Sequence, residues 1–414
     1  MNVLHWHLSE DQGFRVESKK FPKLHGMGSD SNYYTQEQVK DVVAYAADRG
    51  IRVVPEFDMP GHATAWFVGY PELASAPGPY QIERKWGVFD PAMDPSNEAV
   101  YKFLDSFIGE MAKLFPDEYF HIGGDEVNGK QCDANPKIQE FKRKNGLADN
   151  HALQAYFNRR VLAILKKHGK KMIGWDEIFH PDLPKDIVVQ SWSGQRSLAE
   201  GAKQGYQGIL SFGYYLDHMR PASYHYSIDP IDSTIAALSD EEQHRILGGE
   251  ACMWAEYVSP ENIDSRIWPR NAAIAERLWS RATVNDVDDM YRRLAVLSTK
   301  LQLVGLTHRT QYTRMLERMV GDNSTDALQV LVDVVEPVKN YERGGTRQYT
   351  SFTPLNRIVD AARPESNTAR RFALLLEKLQ AGTIANADRA ALHDMLAVWK
   401  GNHAKLEPLF INNK

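Results

Sequence analysis

Cysteine is almost absent: Cys132 and Cys252 are the only thiols among 414 residues, and two isolated thiols define neither a disulfide framework nor a compartment. No apolar run approaches the roughly 18 residues that a membrane-spanning helix needs. Basic charge is not in excess, since the net charge is −5 and the pI lies near 6.3. That excludes a broad electrostatic footprint for nucleic acid. The start, MNVLHWHLSED, meets charge at Glu10 and Asp11 and so is not a signal peptide. It reads instead as a strand that begins at once, as though sequence lay upstream. Walker loops and GxSxG, HExxH and CxxC patterns are also missing, which removes several large enzyme classes. Asn323-Ser324-Thr325 matches a glycosylation acceptor, but a single triplet carries little weight.

What remains is ordinary in bulk, at 43% hydrophobic and 25% charged residues. The length allows one large domain of roughly 250–300 residues and a smaller one. Along the first three quarters, strand-like and helix-like segments alternate. Strand-like runs fall at Asn2–Leu8, Ile51–Phe57, Glu118–Ile122, Lys171–Trp175, Ile187–Trp192, Gly208–Phe212 and Ile246–Trp254. One helix is especially well marked: Thr35 and Gln38 fit a capping box, Val39, Val42, Val43 and Ala46 share a face, and Gly50 supplies a stop. The alternation predicts an α/β fold with a parallel sheet, and its length suits a TIM-type (β/α)8 barrel, although seven strands are counted. Acids and aromatics recur just after the strands, at Glu10-Asp11, Asp58–His62, Asp125-Glu126, Asp176-Glu177, Tyr215–Asp217 and Trp254–Glu256. That is the C-terminal rim, where barrel enzymes place their chemistry. A doubly wound sheet would gather its ligands at one switch point instead.

From about residue 305 the pattern is helical. Phe372, Leu375, Leu376 and Leu379 form one apolar stripe, Leu392, Met395, Leu396 and Trp399 another, and Arg343-Gly344-Gly345 reads as a loop. Residues 1–304 are therefore expected to form the catalytic barrel. Residues 305–414 are expected to form a helical C-terminal extension without chemistry of its own.

The segment Tyr119–Val127 is the sharpest motif. An apolar strand opens into Gly123-Gly124, which let the backbone turn tightly or approach a ligand, and Asp125-Glu126 follow at once. Like charges this close raise one pKa, which suits a general acid. In Val54–His62, prolines and a glycine impose a rigid turn that presents Asp58 and His62. His5 and His7 share one strand face, an arrangement that metal-dependent barrel hydrolases use, but no third and fourth ligand stand out downstream. Trp175, Trp192, Tyr215 and Trp254 lie at or near strand ends, close to acids such as Asp217 and Glu256. Aromatic planes and carboxylates together match the apolar faces and hydroxyl groups of sugars.

These residues resemble the family 20 glycoside hydrolases, the β-N-acetylhexosaminidases. The matching strings are HWHLSEDQGFR at 5–15, PEFDMPGHA at 55–63, HIGGDEV at 121–127, IGWDEI at 173–178, QSWSG at 190–194, GYYLD at 213–217, GGEACMWAE at 248–256 and AERLWS at 275–280. The resemblance implies a (β/α)8 barrel that removes terminal non-reducing β-linked N-acetylglucosamine or N-acetylgalactosamine with retention, through an oxazolinium intermediate. It implies Glu126 as general acid/base, Asp125 as the residue orienting the acetamido group, and Tyr215 as donor to the acetamido carbonyl. Trp175, Trp192 and Trp254 become the box around that group, and Asp217 and Glu256 become hydroxyl binders. Asp11 and His62 become the pair coupled to Glu126. No cofactor or metal is expected, and the partners expected are N-acetylhexosamine-terminated glycans.

The match begins at what corresponds to the family's second strand, so the first β/α unit and its sugar-binding arginine are expected to be missing. An incomplete barrel leaves two edges unpaired and predicts assembly as a homo-oligomer through the gap, or weakened activity. Secretion or a periplasmic location follows from the resemblance alone. Two other functions fit the same residues: a sugar-binding homologue without useful turnover, and a metal-dependent barrel hydrolase using His5 and His7.

Overall fold

The computed structural model describes residues 1–411. The chain falls into two compact units, one of Met1–Phe212, Pro230–Glu250 and Tyr349–Phe352, the other of Gly213–Asp229, Ala251–Gln348 and Thr353 onward.

The first unit contains a seven-stranded parallel sheet. Its strands are β1 (Val3–His7), β2 (Arg52–Glu56), β3 (Tyr119–His121), β4 (Lys171–Trp175), β5 (Val188–Ser191), β6 (Gln207–Leu210) and β7 (Ile246–Gly249), hydrogen-bonded in chain order. Chain order without reversal is the winding of a barrel; a doubly wound sheet would reverse at a switch point. Among the described residues no ladder joins β1 to β7. Even so, His5 Nδ1 of β1 lies 2.7 Å from Oε1 of Glu250, the residue after β7. The sheet therefore curls until its two edges face each other across one side-chain pair, a TIM-type arrangement with seven strands.

Side chains alternate across each strand, and this sorts the core. Val53, Phe120, Met172 and Val189 point to the helices and join Phe57, Trp66, Leu104, Phe107, Phe157 and Val161 in one buried cluster. Their neighbours Val54, Ile173 and Val188 point the other way and form a separate apolar plug. Two residues further along the strands the same inner face turns polar, with Glu56, Trp175 and Gln190. The site thus sits directly above the plug.

The helix Gln36–Ala47 carries both arms of the expected capping box, Thr35 Oγ1 accepting from Gln38 N at 3.2 Å and Gln38 Oε1 from Thr35 N at 2.9 Å. Gly50 follows with φ +69°. The strand-like run expected to reach Trp254 stops at Gly249. Beyond it the chain pairs elsewhere: Tyr215 and Cys252 form a parallel bridge, tied by Leu216 N to Cys252 O at 2.8 Å.

The second unit is helical among its described residues, apart from that bridge. Tyr312, Met315, Leu316, Leu328 and Val332 form its buried cluster, and the Phe372 and Trp399 rings meet at 4.8 Å, joining the two stripes read from the sequence. The compact units part after residues 212, 229, 250, 348 and 352. Tyr215, Asp217, Trp254 and Glu256 therefore belong to the same unit as the C-terminal helices.

Candidate active site

Glu56, at the end of β2, organises the polar layer. Its Oε2 lies 2.7 Å from His7 Nδ1 and 3.0 Å from His5 Nε2, and its Oε1 accepts from Trp175 Nε1 at 2.9 Å. Burial raises a carboxylate's pKa, but the surrounding imidazoles hold Glu56 well below the usual range. His5 and His7 are pushed up to about 10: burial opposes their charge, but Glu250 and Glu56 overcome it for His5, and Glu56 and Glu10 for His7. His121 goes the other way, lowered chiefly by burial, with Gly123 N–H donating to its Nδ1 at 3.0 Å. Two imidazolium ions and two carboxylates thus close the top of the plug and tie β1, β2 and the end of β7 together.

One turn outward lie the two expected acids. A Cβ on Gly123 would meet Asp58 Oδ1 at 1.8 Å, and its φ is +67°, so glycine is the residue that fits both the turn and the close approach. Gly124 N–H donates to Asp58 Oδ1 at 3.0 Å. This contact presents Asp125 and Glu126 beside His62. Glu126 (φ 54°) and His62 (φ 48°) both adopt left-handed backbone conformations, which cost a non-glycine residue about 1–2 kcal/mol each and concentrate at functional sites.

His62 Nε2 stands 3.5 Å from Glu126 Oε2 and 3.6 Å from Asp125 Oδ2. On its far side, Nδ1 makes a 2.8 Å contact with Glu10 Oε1 and stands 3.5 Å from Asp11 Oδ2. Burial works against charging His62, but Glu10, Asp11 and Glu126 hold it protonated far above the ordinary imidazole range. Glu10 is half-buried; desolvation opposes its charge, yet His62 pulls it down to about 2. Asp11, 1% exposed, accepts from Thr64 N at 2.9 Å and from the Thr64 hydroxyl. It therefore anchors the loop carrying His62, while Glu10 is the nearer acid. The sequence marked Glu10 only as a rim residue, because adjacent hairpin carboxylates cannot be ranked without coordinates.

Asp125 is pushed up to about 6, mainly by burial, with the His62 charge opposing. Asp58, whose ligand atoms lie within 4.8 Å of those of His62 and Asp125, is driven well above the carboxylate range by burial and by the Asp125 charge. Oδ1 of Asp125 is buried and, among the described residues, has no hydrogen-bond partner. Glu126 is more open, with 38% of its side chain exposed.

The β4 end splits a second acid pair. Asp176 Oδ2 accepts from Trp192 N at 2.9 Å and Ser193 N at 2.8 Å, fixing the loop after β5. Glu177 accepts from Trp192 Nε1 at 3.1 Å and is raised to about 7 by burial, with Asp125 adding to the shift. Trp192 is half-buried on this acid, whereas Trp175 is 2% exposed, its indole N–H engaged by Glu56. The structure thus groups Asp11, His62, Asp125, Glu126, Trp175 and Trp192 in the first unit.

In the second unit, the turn after Gly213 carries Tyr215 and Asp217. Asp217 is 4% exposed and raised to about 6 by burial. Its Oδ2 accepts from the Tyr341 hydroxyl, and the backbone N–H of Trp254 also faces the carboxylate. Tyr341 faces Glu256 and Tyr215 as well. Tyr341 comes from the region expected to be chemically silent.

Ligand atoms of His5, Glu56 and His121 lie within 4.8 Å of one another, as do those of His7, Glu56 and Asp58, of Glu10, Asp11 and His62, and of Asp58, His62 and Asp125. The fold thus supplies the further ligands that the sequence left open for His5 and His7. A metal would have to displace the protons that Glu56 and Glu250 hold on those rings.

Barrel winding with acids clustered about a histidine at the strand ends defines the class: a TIM-type barrel with its titratable groups gathered at the C-terminal rim. The chain belongs to glycosyl hydrolase family 20, whose catalytic-domain model matches residues 1–282. It is similar to the β-hexosaminidase of Porphyromonas gingivalis, at 38% identity over 336 residues, which is 74% of this chain and 43% of that protein. The human β-hexosaminidase subunit beta is 38% identical over 304 residues, 71% of this chain and 54% of that one. The chain thus spans about half the length of these relatives. The crystal structure of a Flavobacterium johnsoniae chitobiase superposes with a TM-score of 0.94 at 43% identity, covering 100% of this chain and 64% of that one.

Proposed function

We propose that the chain is the catalytic part of a retaining exo-β-N-acetylhexosaminidase that works by substrate assistance. The observation carrying this reading is that Asp125 and Glu126 flank the same nitrogen of His62, at 3.6 and 3.5 Å. This places two neighbouring carboxylates at one imidazolium, which suits a division in which one protonates the leaving oxygen and the other holds the substrate's amide. If the substrate's own acetamido oxygen attacks the anomeric carbon, no enzymic nucleophile is needed. Family 20 is an established substrate-assisted exception to the two-carboxylate rule, so the geometry agrees with the family.

In this mechanism Glu126 protonates the leaving oxygen and later takes a proton from water. Asp125 accepts the acetamido N–H on Oδ1, the oxygen without a hydrogen-bond partner among the described residues, and balances the positive charge of the oxazolinium ion. His62, held charged by Glu10, orients both carboxylates and favours the ionised form of Asp125. Tyr215 is assigned to the acetamido carbonyl, Trp175, Trp192 and Trp254 to the acetamido box, and Asp217 and Glu256 to sugar hydroxyls, on the family correspondence of their motifs. The seven strands are read as the second to eighth of the family barrel. The substrates are glycans ending in a β-linked N-acetylhexosamine.

A chromogenic β-N-acetylglucosaminide assay, run with and without chelator, tests the reading. Turnover that chelator leaves unchanged is expected. Binding without turnover would instead make the chain a sugar-binding homologue, and chelator-sensitive turnover would point to a metal at His5 and His7.

A further inference from the structure

The residues after 304 lie outside the family match, yet one of them reaches an acid of the functional set. Tyr341 gives its hydroxyl hydrogen to Asp217 Oδ2, across 124 positions of sequence. Asp217 Oδ1 is buried and, among the described residues, has no hydrogen-bond partner. One oxygen is thus occupied by the protein, and the other is left as an acceptor for a hydroxyl group.

The segment carrying Tyr341 is fixed by several contacts. Asn340 and Tyr341 both adopt left-handed backbone, at φ 50° and 63°, a conformation that a bulky residue such as Tyr341 holds only where its surroundings impose it. Asn340 N–H donates to His218 O at 3.2 Å, and Arg220 Nε to Asn340 Oδ1 at 3.1 Å. The His218 ring meets Tyr341 edge-on at 5.0 Å and stacks on Tyr215 at 5.0 Å. Two short segments, 215–220 and 340–341, therefore interlock around one carboxylate.

The geometry points to Tyr341 as the positioning residue that sets Asp217 for sugar hydroxyl groups, so that the C-terminal region takes part in substrate binding. This rests on the hydroxyl-binding role proposed for Asp217. The phenol occupies Oδ2 and so leaves the buried Oδ1 as the acceptor. It also favours the charged, acceptor-only form of Asp217 against burial. The other groups bearing on that charge are the Trp254 N–H and Arg270. Glu256, Tyr215 and His218 bear on it through Tyr341.

Tyr341→Phe removes one oxygen and keeps the ring against His218. With the wild-type enzyme active on a chromogenic β-N-acetylhexosaminide, the variant is expected to raise KM by about tenfold, the scale of one hydrogen bond to a charged group, with kcat within about twofold. The acid limb of kcat/KM should move to higher pH, because Asp217 loses the donor that favours its ionised form. Added to Asp217→Asn, the substitution should have little further effect. An unchanged KM and acid limb would overturn the proposal, even with a lowered melting temperature, and so would independent, additive losses in the double variant. An inactive wild type would instead overturn the hexosaminidase reading.

Discussion

Glu126→Gln is expected to lower turnover of β-N-acetylhexosaminides with poor leaving groups by about 10²–10⁴-fold, the usual contribution of a general acid. Substrates with strongly acidic leaving groups, which depart without a proton, should lose far less in the first step. The loss comes from chemistry and not from folding. Glu126 is partly exposed, and its partner, His62 at 3.5 Å, keeps Glu10 at 2.8 Å on its other nitrogen. Melting of the variant should accordingly stay close to wild type. Rates of leaving-group series measured side by side on the two proteins check this: a loss that does not vary with leaving-group acidity would remove Glu126 from the role of proton donor.

Asp125→Asn is expected to cut kcat by about 10²–10³-fold, the cost of removing one group preorganised for transition-state charge, whatever the leaving group. The amide keeps the shape of the side chain but lacks the charge that faces the oxazolinium ion. A pH signature accompanies the loss. Asp125 and Asp217 are both raised to about 6, and both are required ionised, so wild-type kcat/KM falls as pH drops through that region. In Asp125→Asn one of these ionisations is gone, and the acid limb should become shallower. Near-wild-type turnover with an unaltered acid limb would defeat the substrate-assisted assignment.

Much of this arrangement is legible in the sequence because it is local. Each of the seven strands follows from a short apolar run between turn signals, and the Thr35–Gln38 cap from four residues. Gly123-Gly124 before two acids announces a close backbone approach, which proves to be the contact with Asp58. What the sequence hides is pairing over distance. His5 and Glu250 are separated by 245 positions, so the network above the plug reads as isolated histidines until the sheet curls. Glu10 and Asp11 are neighbours of the same charge, and only the hairpin decides that Glu10 approaches His62 more closely. Tyr341 carries no motif at all. It lies in a polar loop of a region whose periodicity predicts helices, and its contact with Asp217 depends on a left-handed backbone that an Asn-Tyr pair does not advertise. The last strand-like run is shorter than its apolar pattern, because β7 ends at Gly249 and Cys252 pairs instead with the turn around Tyr215.

The central claim is that the acetamido oxygen of the substrate is the nucleophile, held by Asp125. It is tested most directly by kcat/KM on aryl β-N-acylglucosaminides whose acyl methyl group carries an increasing number of fluorine atoms. Each fluorine withdraws electrons from the carbonyl oxygen and weakens it as a nucleophile, so a stepwise fall is expected from acetyl to trifluoroacetyl. A flat series would contradict the account.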